Sequence, residues 1–231
     1  MRSIEVPRAV RRLAPDRVRD DPRLRAVALA LGVIPPRTMH SAAESAALTR
    51  LATGARRVVE LGVYEGSSAL VLCRALGAGA ELHLVDPFID ASGWALRPGA
   101  SASATATRSV VARAARGAGP TVVWRIARSQ DVGRTWSGGR VDLVFIDGDH
   151  SPEGCREDGD RWHEHVAPGG AVAFHDAREG RAGGGGSPGP TSVVDEVFRS
   201  AGGGAGSGSG WDIVEEVDSL VVVRRAGTPG G

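Results

Sequence analysis

Five acidic and imidazole side chains follow two apolar runs in the second half of the chain. The runs cover 141–146 and 171–174, and such runs, rich in Val, Ile and Phe, are typical of buried parallel strands. Ligands bind at the carboxyl ends of parallel strands. We therefore expect one site at this edge, formed by Asp147, Asp149, His150, His175 and Asp176.

The residue types at this edge are those that bind divalent metals and carry protons near neutral pH. Two carboxylates suit magnesium, whereas an imidazole shifts the preference toward manganese, iron or zinc. His150 has the ordinary pKa of a base that works near neutral pH, and Asp149 is the alternative base or its orienting partner. Two simpler interpretations stay open: His175 as a hydrogen-bonded histidine without metal, and Asp149 as the cap of the following helix.

A glycine-rich turn follows the first apolar run of the chain. Glu60 precedes the turn, Gly62 and Gly66 flank it, and Ser67 begins a helix. Glycine lets the backbone approach a ligand closely, but the G-x-x-x-G spacing differs from the G-x-G-x-x-G of dinucleotide sites. Asp86 ends the next run, where an acid hydrogen-bonds ribose hydroxyls. Together these residues predict a site for a nucleoside-containing ligand.

Strands and helices alternate along the chain, which predicts an α/β fold with a doubly wound, seven-stranded, mostly parallel sheet. Its last two strands form an antiparallel pair that closes the sheet. The predicted strands cover 57–61, 82–85, 121–126, 141–146, 171–174, 211–217 and 220–223. The predicted helices cover 22–31, 42–52, 68–76, 105–116, 152–166 and 191–200. Ser41 and Glu44 form a capping-box pattern at the start of the second helix.

Three parts follow from this organisation. Residues 1–52 are predicted to be an arm and a small helical cap, 53–225 the cofactor-binding domain, and 226–231 a disordered tail. The glycine-rich stretch 180–190 is predicted to be a mobile loop. The acceptor pocket is expected between this loop, the N-terminal helices and the loop at 89–104.

The composition excludes several classes of function. A formal net charge of +1 over 231 residues gives no support for nucleic-acid binding. The chain has no run of 18 apolar residues and no signal-peptide pattern, so we expect a cytoplasmic protein without membrane contact. All 28 basic residues are Arg, which excludes Schiff-base chemistry, a P-loop lysine and a lysine base.

The glycine-rich turn and Asp86 resemble motifs of the class I S-adenosylmethionine-dependent methyltransferases. Residues 60–66 match the first motif of that family, and Asp86 matches its ribose-binding acid. The resemblance implies S-adenosylmethionine as cofactor, with its methionine part over the turn. It also implies cofactor contacts from Ser129, after the third strand, and from Asp147.

The two strand ends resemble, more narrowly, the small metal-dependent O-methyltransferases of natural-product sugars, the macrocin type. This resemblance implies a divalent metal, magnesium or manganese, held by Asp147, His175 and Asp176. The chain departs from these relatives at His175, where they have an acid. Catechol-type relatives place a base where this chain has His150, and sugar-tailoring relatives place one where it has Asp149.

The motifs together predict an O-methyltransferase that acts on a hydroxyl of a small natural product or its sugar. The alternatives are metal-free N-methylation of an amino sugar, and a non-catalytic protein that binds S-adenosylmethionine. The expected partner is a small-molecule acceptor. The oligomeric state stays open, although proteins of this kind commonly form homo-oligomers.

Overall fold

The computed structural model describes residues 21–88, 103–117, 119–199 and 210–227. The predicted N-terminal arm, most of the predicted loop at 89–104 and most of the tail lie outside these residues. Within them, no helix has the length and apolar character that would let it cross a membrane.

Seven strands of the described chain form one mostly parallel sheet in the order β3-β2-β1-β4-β5-β7-β6. The strands are β1 (Arg57–Leu61), β2 (Glu81–Val85), β3 (Thr121–Arg125), β4 (Val141–Ile146), β5 (Val166–Phe174), β6 (Trp211–Val217) and β7 (Leu220–Arg225). β7 runs antiparallel to both of its neighbours, β5 and β6. The strand order reverses between β1 and β4, which is where a doubly wound sheet binds its ligand. The predicted fold class is confirmed.

Helices cover both faces of the sheet. They are α1 (Pro22–Ala30), α2 (Ala42–Ala52), α3 (Ser67–Ala75), α4 (Ala104–Ala114), α5 (Ser129–Arg134), α6 (Pro152–Trp162) and α7 (Pro188–Val194). A 3-10 turn (His163–His165) follows α6, and a π-helical turn (Asp195–Arg199) follows α7. α2, α3 and α4 pack on one face, whereas α6 and α7 pack on the other. Because both faces are covered, the central strands are apolar on both sides.

The N-terminal helices each have a distinct neighbour. α1 packs outside α4, where Leu29 and Val110 share an apolar cluster. α2 packs against α3, and its predicted capping box between Ser41 and Glu44 is present.

The predicted bounds around β5 were wrong. α6 ends at Trp162 and β5 begins at Val166, whereas the sequence suggested a helix to 166 and a strand from 171. Val166 pairs with Val141 across a shift in register, and Gly169 has the positive φ of 78° that such an irregularity accommodates. The glycines of this segment therefore belong to an irregular strand and not to a helix end.

The stretch 180–190 is only partly a loop. Ala177 and Gly186 form an antiparallel bridge, and α7 begins at Pro188. Proline suits the first turn of a helix because its φ is already helical and its missing N–H would have no partner there. The last three residues of the predicted loop, which include the buried Gly189, are therefore helical.

Candidate active site

Four of the five side chains expected at the strand ends lie together. Asp147 follows β4, and His175 and Asp176 follow β5, which is its parallel neighbour. Ile146 pairs with Phe174, so the residues that follow them emerge side by side. His150 joins them from the loop after β4, and one ligand atom from each of the four lies within 4.8 Å of the others. We call these four residues the strand-end cluster.

Each imidazole in the strand-end cluster contacts both carboxylates. His150 Nε2 lies 3.0 Å from Asp176 Oδ2 and 3.7 Å from Asp147 Oδ1. His175 Nδ1 lies 3.1 Å from Asp147 Oδ1 and 3.5 Å from Asp176 Oδ2. The two histidines differ in access, because the side chain of His150 is 26% exposed and that of His175 only 2%.

These contacts change the protonation of the cluster. Burial alone would lower the pKa of His175, but the nearby carboxylates of Asp147, Asp176 and Glu44 outweigh it and raise the pKa to about 12. At His150, too, burial alone would lower the pKa, but the carboxylates of Asp176 and Asp147 outweigh this effect and raise it. Although burial disfavours its charge, Asp176 has a lowered pKa because both histidines pair with it. Without a metal, His175 is therefore protonated at neutral pH, and His150 keeps its proton to a higher pH than an ordinary imidazole does.

The four donors fit a divalent metal ion. Ligand atoms placed about 2.1 Å from one ion stand roughly 3.0 to 3.4 Å apart in octahedral or tetrahedral arrangements. The measured nitrogen–oxygen separations of 3.0 to 3.7 Å are close to that range. Two imidazoles and two carboxylates make a mixed donor set, which favours manganese, iron or zinc over magnesium.

Glu44 lies behind the cluster, a position that the sequence pattern did not predict, since it indicated only the capping role of this residue. Its carboxylate accepts hydrogen bonds from the Ser41 and Ser219 backbones and from the Ser219 hydroxyl. Its Oε2 atom lies 3.5 Å from His175 Nε2. Burial would raise the pKa of Glu44, but these contacts, first that of His175, lower it to about 2.

The glycine-rich turn begins beside Asp147. Gly62 and Gly66 have positive φ values of 87° and 86°, as a sharp turn into α3 requires. Asp86 Oδ2 accepts hydrogen bonds from the backbone N–H groups of Val63 and Tyr64, at 2.8 and 2.9 Å. Asp86 therefore lies at the turn, as predicted, and the turn and the strand-end cluster share one edge of the sheet.

Three glycines pack against the backbone of the strand-end cluster. A Cβ atom at Gly62 would fall 2.1 Å from the carbonyl oxygen of Asp147, and one at Gly189 would fall 1.9 Å from that of His150. A Cβ atom at Gly186 would fall 2.3 Å from the carbonyl carbon of Asp176. Glycine is required at these positions because the approaching backbone leaves no room for a side chain. We call Gly62, Gly186 and Gly189 the contact glycines.

Two predicted cofactor residues lie below the turn. Glu60 is fully buried and accepts a hydrogen bond from Ser68, and its Oε2 atom has no partner among the described residues. Burial raises the pKa of Glu60 well above its ordinary value, which favours the neutral carboxyl. Ser67 is the first residue of α3. Their contact with a cofactor stays a prediction.

The remaining two predicted residues face α6. Ser129 begins α5, and its hydroxyl donates to Asp158 Oδ1 at 2.5 Å. Burial raises the pKa of Asp158 to about 7. Asp149 lies next to the cluster in sequence but turns toward α6, where Oδ1 accepts from the backbone N–H of Ser151 at 2.8 Å. The geometry therefore favours His150 over Asp149 as the base.

A buried ion pair links the glycine-rich turn to α1, and the sequence pattern did not predict it. Glu65 accepts hydrogen bonds from Arg25 Nε at 2.6 Å and from Arg25 Nη2 at 2.5 Å. It also accepts from the backbone N–H of Arg37 at 2.7 Å. Only the charge of Glu65 inside an otherwise apolar and glycine-rich segment signalled that it needs a buried partner.

Comparison with known proteins assigns the family. A family model described as a methyltransferase domain matches residues 59–177, which is about half of the chain. The match runs from β1 to the residue after Asp176, so it contains the glycine-rich turn and the whole strand-end cluster. The chain belongs to this methyltransferase family. The prediction that it is a methyltransferase is thereby confirmed.

Solved structures of other proteins, two of them O-methyltransferases, share the fold. Cofactor-bound Rv0187 from MTB is 20% identical, with a TM-score of 0.61 and 90% of each chain covered. The O-methyltransferase TomG from Streptomyces achromogenes is 20% identical, with a TM-score of 0.59, and the match covers 90% of this chain and 91% of TomG. An O-methyltransferase from Bacillus cereus is 15% identical, with a TM-score of 0.58 and coverages of 94% and 97%. None of the curated proteins compared with this methyltransferase matches it significantly.

Proposed function

We propose that this methyltransferase transfers a methyl group from S-adenosylmethionine to a hydroxyl of a small natural product or its sugar, with a divalent metal held by Asp147, His175 and Asp176 of the strand-end cluster and His150 beside it as the base. The observation that carries the proposal is the position of the cluster, whose four donors lie within 4.8 Å of one another. Asp147 of this cluster packs directly on Gly62 of the glycine-rich turn. A cofactor over the turn and an acceptor at the cluster would therefore be neighbours.

The glycine-rich turn and Asp86 support the choice of cofactor. The Asp86 carboxylate accepts three backbone N–H groups, from Val63, Tyr64 and Phe88, and keeps one lone pair, on Oδ1, for a ribose hydroxyl. Structures with this fold add support, since TomG was crystallised in complex with SAM and the Bacillus cereus protein with SAH. TomG is described as involved in tomaymycin synthesis, which supports a natural product as the acceptor.

The reaction requires an aligned acceptor and a base. The acceptor oxygen forms a bond to the methyl carbon while the carbon–sulfur bond breaks, and the sulfur keeps the bonding pair and leaves as a thioether. The hydroxyl proton must pass to the protein or to water. When bound, a divalent ion would lower the pKa of that hydroxyl and fix its direction.

His150 is the base that the geometry supports. Its side chain is 26% exposed, so an acceptor can reach it, whereas His175 is buried. Asp176 Oδ2 lies 3.0 Å from His150 Nε2 and stabilises the imidazolium that forms when the base takes the proton. Since the pKa of His150 is raised, activity should increase with pH until the imidazole is neutral.

The test is turnover of S-adenosylmethionine with a panel of glycosides and phenols, with and without a chelator. We expect activity that EDTA abolishes and that added Mn²⁺ restores. Asp176→Asn should lose this metal response, whereas Asp131→Asn should keep it, because Asp131 is an exposed residue of α5 that pairs with Arg134. Replacing His150 by Gln should lower kcat by roughly 10²- to 10⁴-fold.

Different failures of this test have different meanings. Activity that is insensitive to EDTA and to Asp176→Asn would refute the metal role and leave methyl transfer intact. Methylation of amino sugars alone would establish N-methylation instead. Tight binding of S-adenosylmethionine without turnover on any acceptor would favour a non-catalytic binding protein.

A further inference from the structure

We propose that Glu44 of α2 is a positioning residue that fixes the orientation and the tautomer of His175. In this role Glu44 keeps His175 Nδ1 directed at the strand-end cluster, where a metal would take its lone pair. The inference deepens the proposed function, and its metal part rests on that proposal.

The position of Glu44 is fixed by three elements. Glu44 is only 3% exposed, and its two carboxylate oxygens contact different partners. Oε1 accepts from Ser219 N at 2.8 Å and from Ser219 Oγ at 2.6 Å, in the turn between β6 and β7. Oε2 accepts from Ser41 N at 2.7 Å and faces His175 Nε2 at 3.5 Å. The carboxylate therefore cannot rotate without breaking the start of α2 or the β6–β7 turn.

The two nitrogens of the His175 ring face different neighbours, one the strand-end cluster and the other Glu44. Nδ1 lies 3.1 Å from Asp147 Oδ1, on the side of the cluster. Nε2 is buried and makes no hydrogen bond within the described residues, and the ion-pair partner that it faces there is Glu44 Oε2, at 3.5 Å. The ring of Phe145 stands edge-on to the imidazole, with centroids 6.0 Å apart and an interplanar angle of 73°. Apolar packing therefore limits rotation of the ring.

A carboxylate beside one imidazole nitrogen determines which nitrogen can bind a metal. Glu44 favours retention of the proton on Nε2, so a metal that displaces the other ring proton would take the Nδ1 lone pair, on the side of Asp147 and Asp176. Histidine ligands of metals commonly donate their second N–H to a carboxylate, which fixes the tautomer and increases the basicity of the ligand nitrogen. Glu44 is placed to act in this way, although it is distant in sequence and contacts no substrate.

Glu44→Gln removes the negative charge of this side chain but keeps its size and shape. The amide oxygen is needed by the two donors of Ser219, so the amide N–H group would face His175 Nε2, and the hydrogen bond from Ser41 N to this position would be lost as well. A donor at that place would move the ring proton to Nδ1 and block the metal-binding nitrogen. The matched control is Ser41→Ala, which removes the hydroxyl that caps Glu44 N but keeps the Ser41 backbone bond to Glu44 Oε2.

The experiment has two readouts on the full-length protein. Calorimetric titration with Zn²⁺ should show affinity about 10- to 100-fold weaker in Glu44→Gln, and within about threefold of wild type in Ser41→Ala. Nitrogen-15 NMR should show Zn²⁺ on Nδ1 of His175 in the wild type. In the metal-free wild type, the Nε2–H proton should resonate far downfield and exchange slowly, and Glu44→Gln should remove both features.

The outcomes distinguish this inference from the proposed function. Unchanged Nε2–H signals together with unchanged Zn²⁺ affinity in Glu44→Gln would overturn the positioning role. Equal losses in Ser41→Ala and Glu44→Gln would also overturn it, because they would indicate an effect of α2 stability alone. If the wild type binds no Zn²⁺, the metal part of the proposed function fails, and the Nε2–H signals alone decide the role of Glu44.

Discussion

At the scale of single residues, two kinds of positive charge can neutralise the carboxylates of Asp147 and Asp176. One is the proton on His175 and His150, and the other is a bound metal ion. Without a metal, the raised pKa values of both histidines place protons between Asp147 and Asp176. A metal ion needs neutral imidazoles, so it must displace these protons. The protonated cluster and the metal-loaded cluster are therefore two alternative ways of neutralising the same site.

Metal binding should therefore depend strongly on pH. Affinity should increase as pH rises, because fewer protons must be displaced, and binding at neutral pH should release up to two protons. Calorimetry in buffers of different ionisation enthalpy measures this number directly. His175→Asn should release about one proton fewer, and release of no protons by the wild type would contradict the arrangement.

The same protons contribute to the stability of the metal-free protein. A histidine whose pKa is raised on folding stabilises the folded state while it stays charged. The contribution of His175 is fully present below its ordinary value of 6.5 and is lost as pH rises through about 12. Metal-free protein should therefore lose more stability than metal-loaded protein when the solution is made alkaline.

At the scale of elements, α7 positions the loop that carries His150. Gly189 lies in the first turn of α7, and its Cα approaches the carbonyl oxygen of His150 so closely that a Cβ atom would fall 1.9 Å away. Nothing in the apolar pattern of the sequence distinguished this glycine from its neighbours in 180–190. Its role comes from the contact between two elements and not from local conformation.

Gly189→Ala should displace His150 and destabilise the fold by about 1–3 kcal/mol, as overpacking of a close contact does. We expect kcat to fall, with weaker metal binding, because His150 moves relative to Asp176. The matched control is Gly185→Ala, where a Cβ atom would meet only Ser219 Cβ, at an ordinary 3.9 Å. Urea unfolding and steady-state kinetics check both variants, and equal behaviour of the two would contradict this account.

The glycine-rich turn depends on α1 in a similar way. Arg25 and Glu65 form a two-point ion pair with both side chains at most 10% exposed. Removing Arg25 leaves the buried Glu65 carboxylate with the more exposed Arg37, 3.4 Å away, as its ion-pair partner, so Arg25→Met should cost up to about 3–5 kcal/mol of stability. It should also weaken cofactor binding, because Glu65 lies in the turn. Arg50→Met is the control, since the Arg50 side chain is 60% exposed and its pair with Glu215 should contribute less than about 1 kcal/mol.

At the scale of the whole molecule, segments distant in sequence meet at the strand-end cluster. α2 brings Glu44, the central strands bring Asp147 and His175, and the last hairpin brings Ser219. The domain boundary predicted near residue 52 therefore does not separate the helical cap from the chemistry. Its place as a boundary stays a prediction, but the cap supplies contacts to the site.

The sequence predicted those parts of the site that follow from strand ends. Asp147 and His175 follow continuous apolar runs, and neighbouring parallel strands bring such residues together whatever the rest of the fold does. Glu44 and Glu65 were not predicted as parts of the site, because a buried carboxylate finds its partner only through helix packing that sequence periodicity does not specify. Asp149 shows the same limit, since it lies two positions after Asp147 in the same loop and yet turns toward α6 and not toward the cluster.

The contact glycines have a consequence for how this site can vary. They restrict the backbone under Asp147, His150 and Asp176, so neighbouring segments position the residues that carry the chemistry. Saturation mutagenesis should thus tolerate only glycine at the contact glycines, while His175→Asp should shift the preferred ion toward magnesium and cost stability, because Glu44 loses the buried imidazole that it faces. Inheritance of this site would then conserve Gly186 and Gly189, which only support its backbone, as strictly as the side chains that line it.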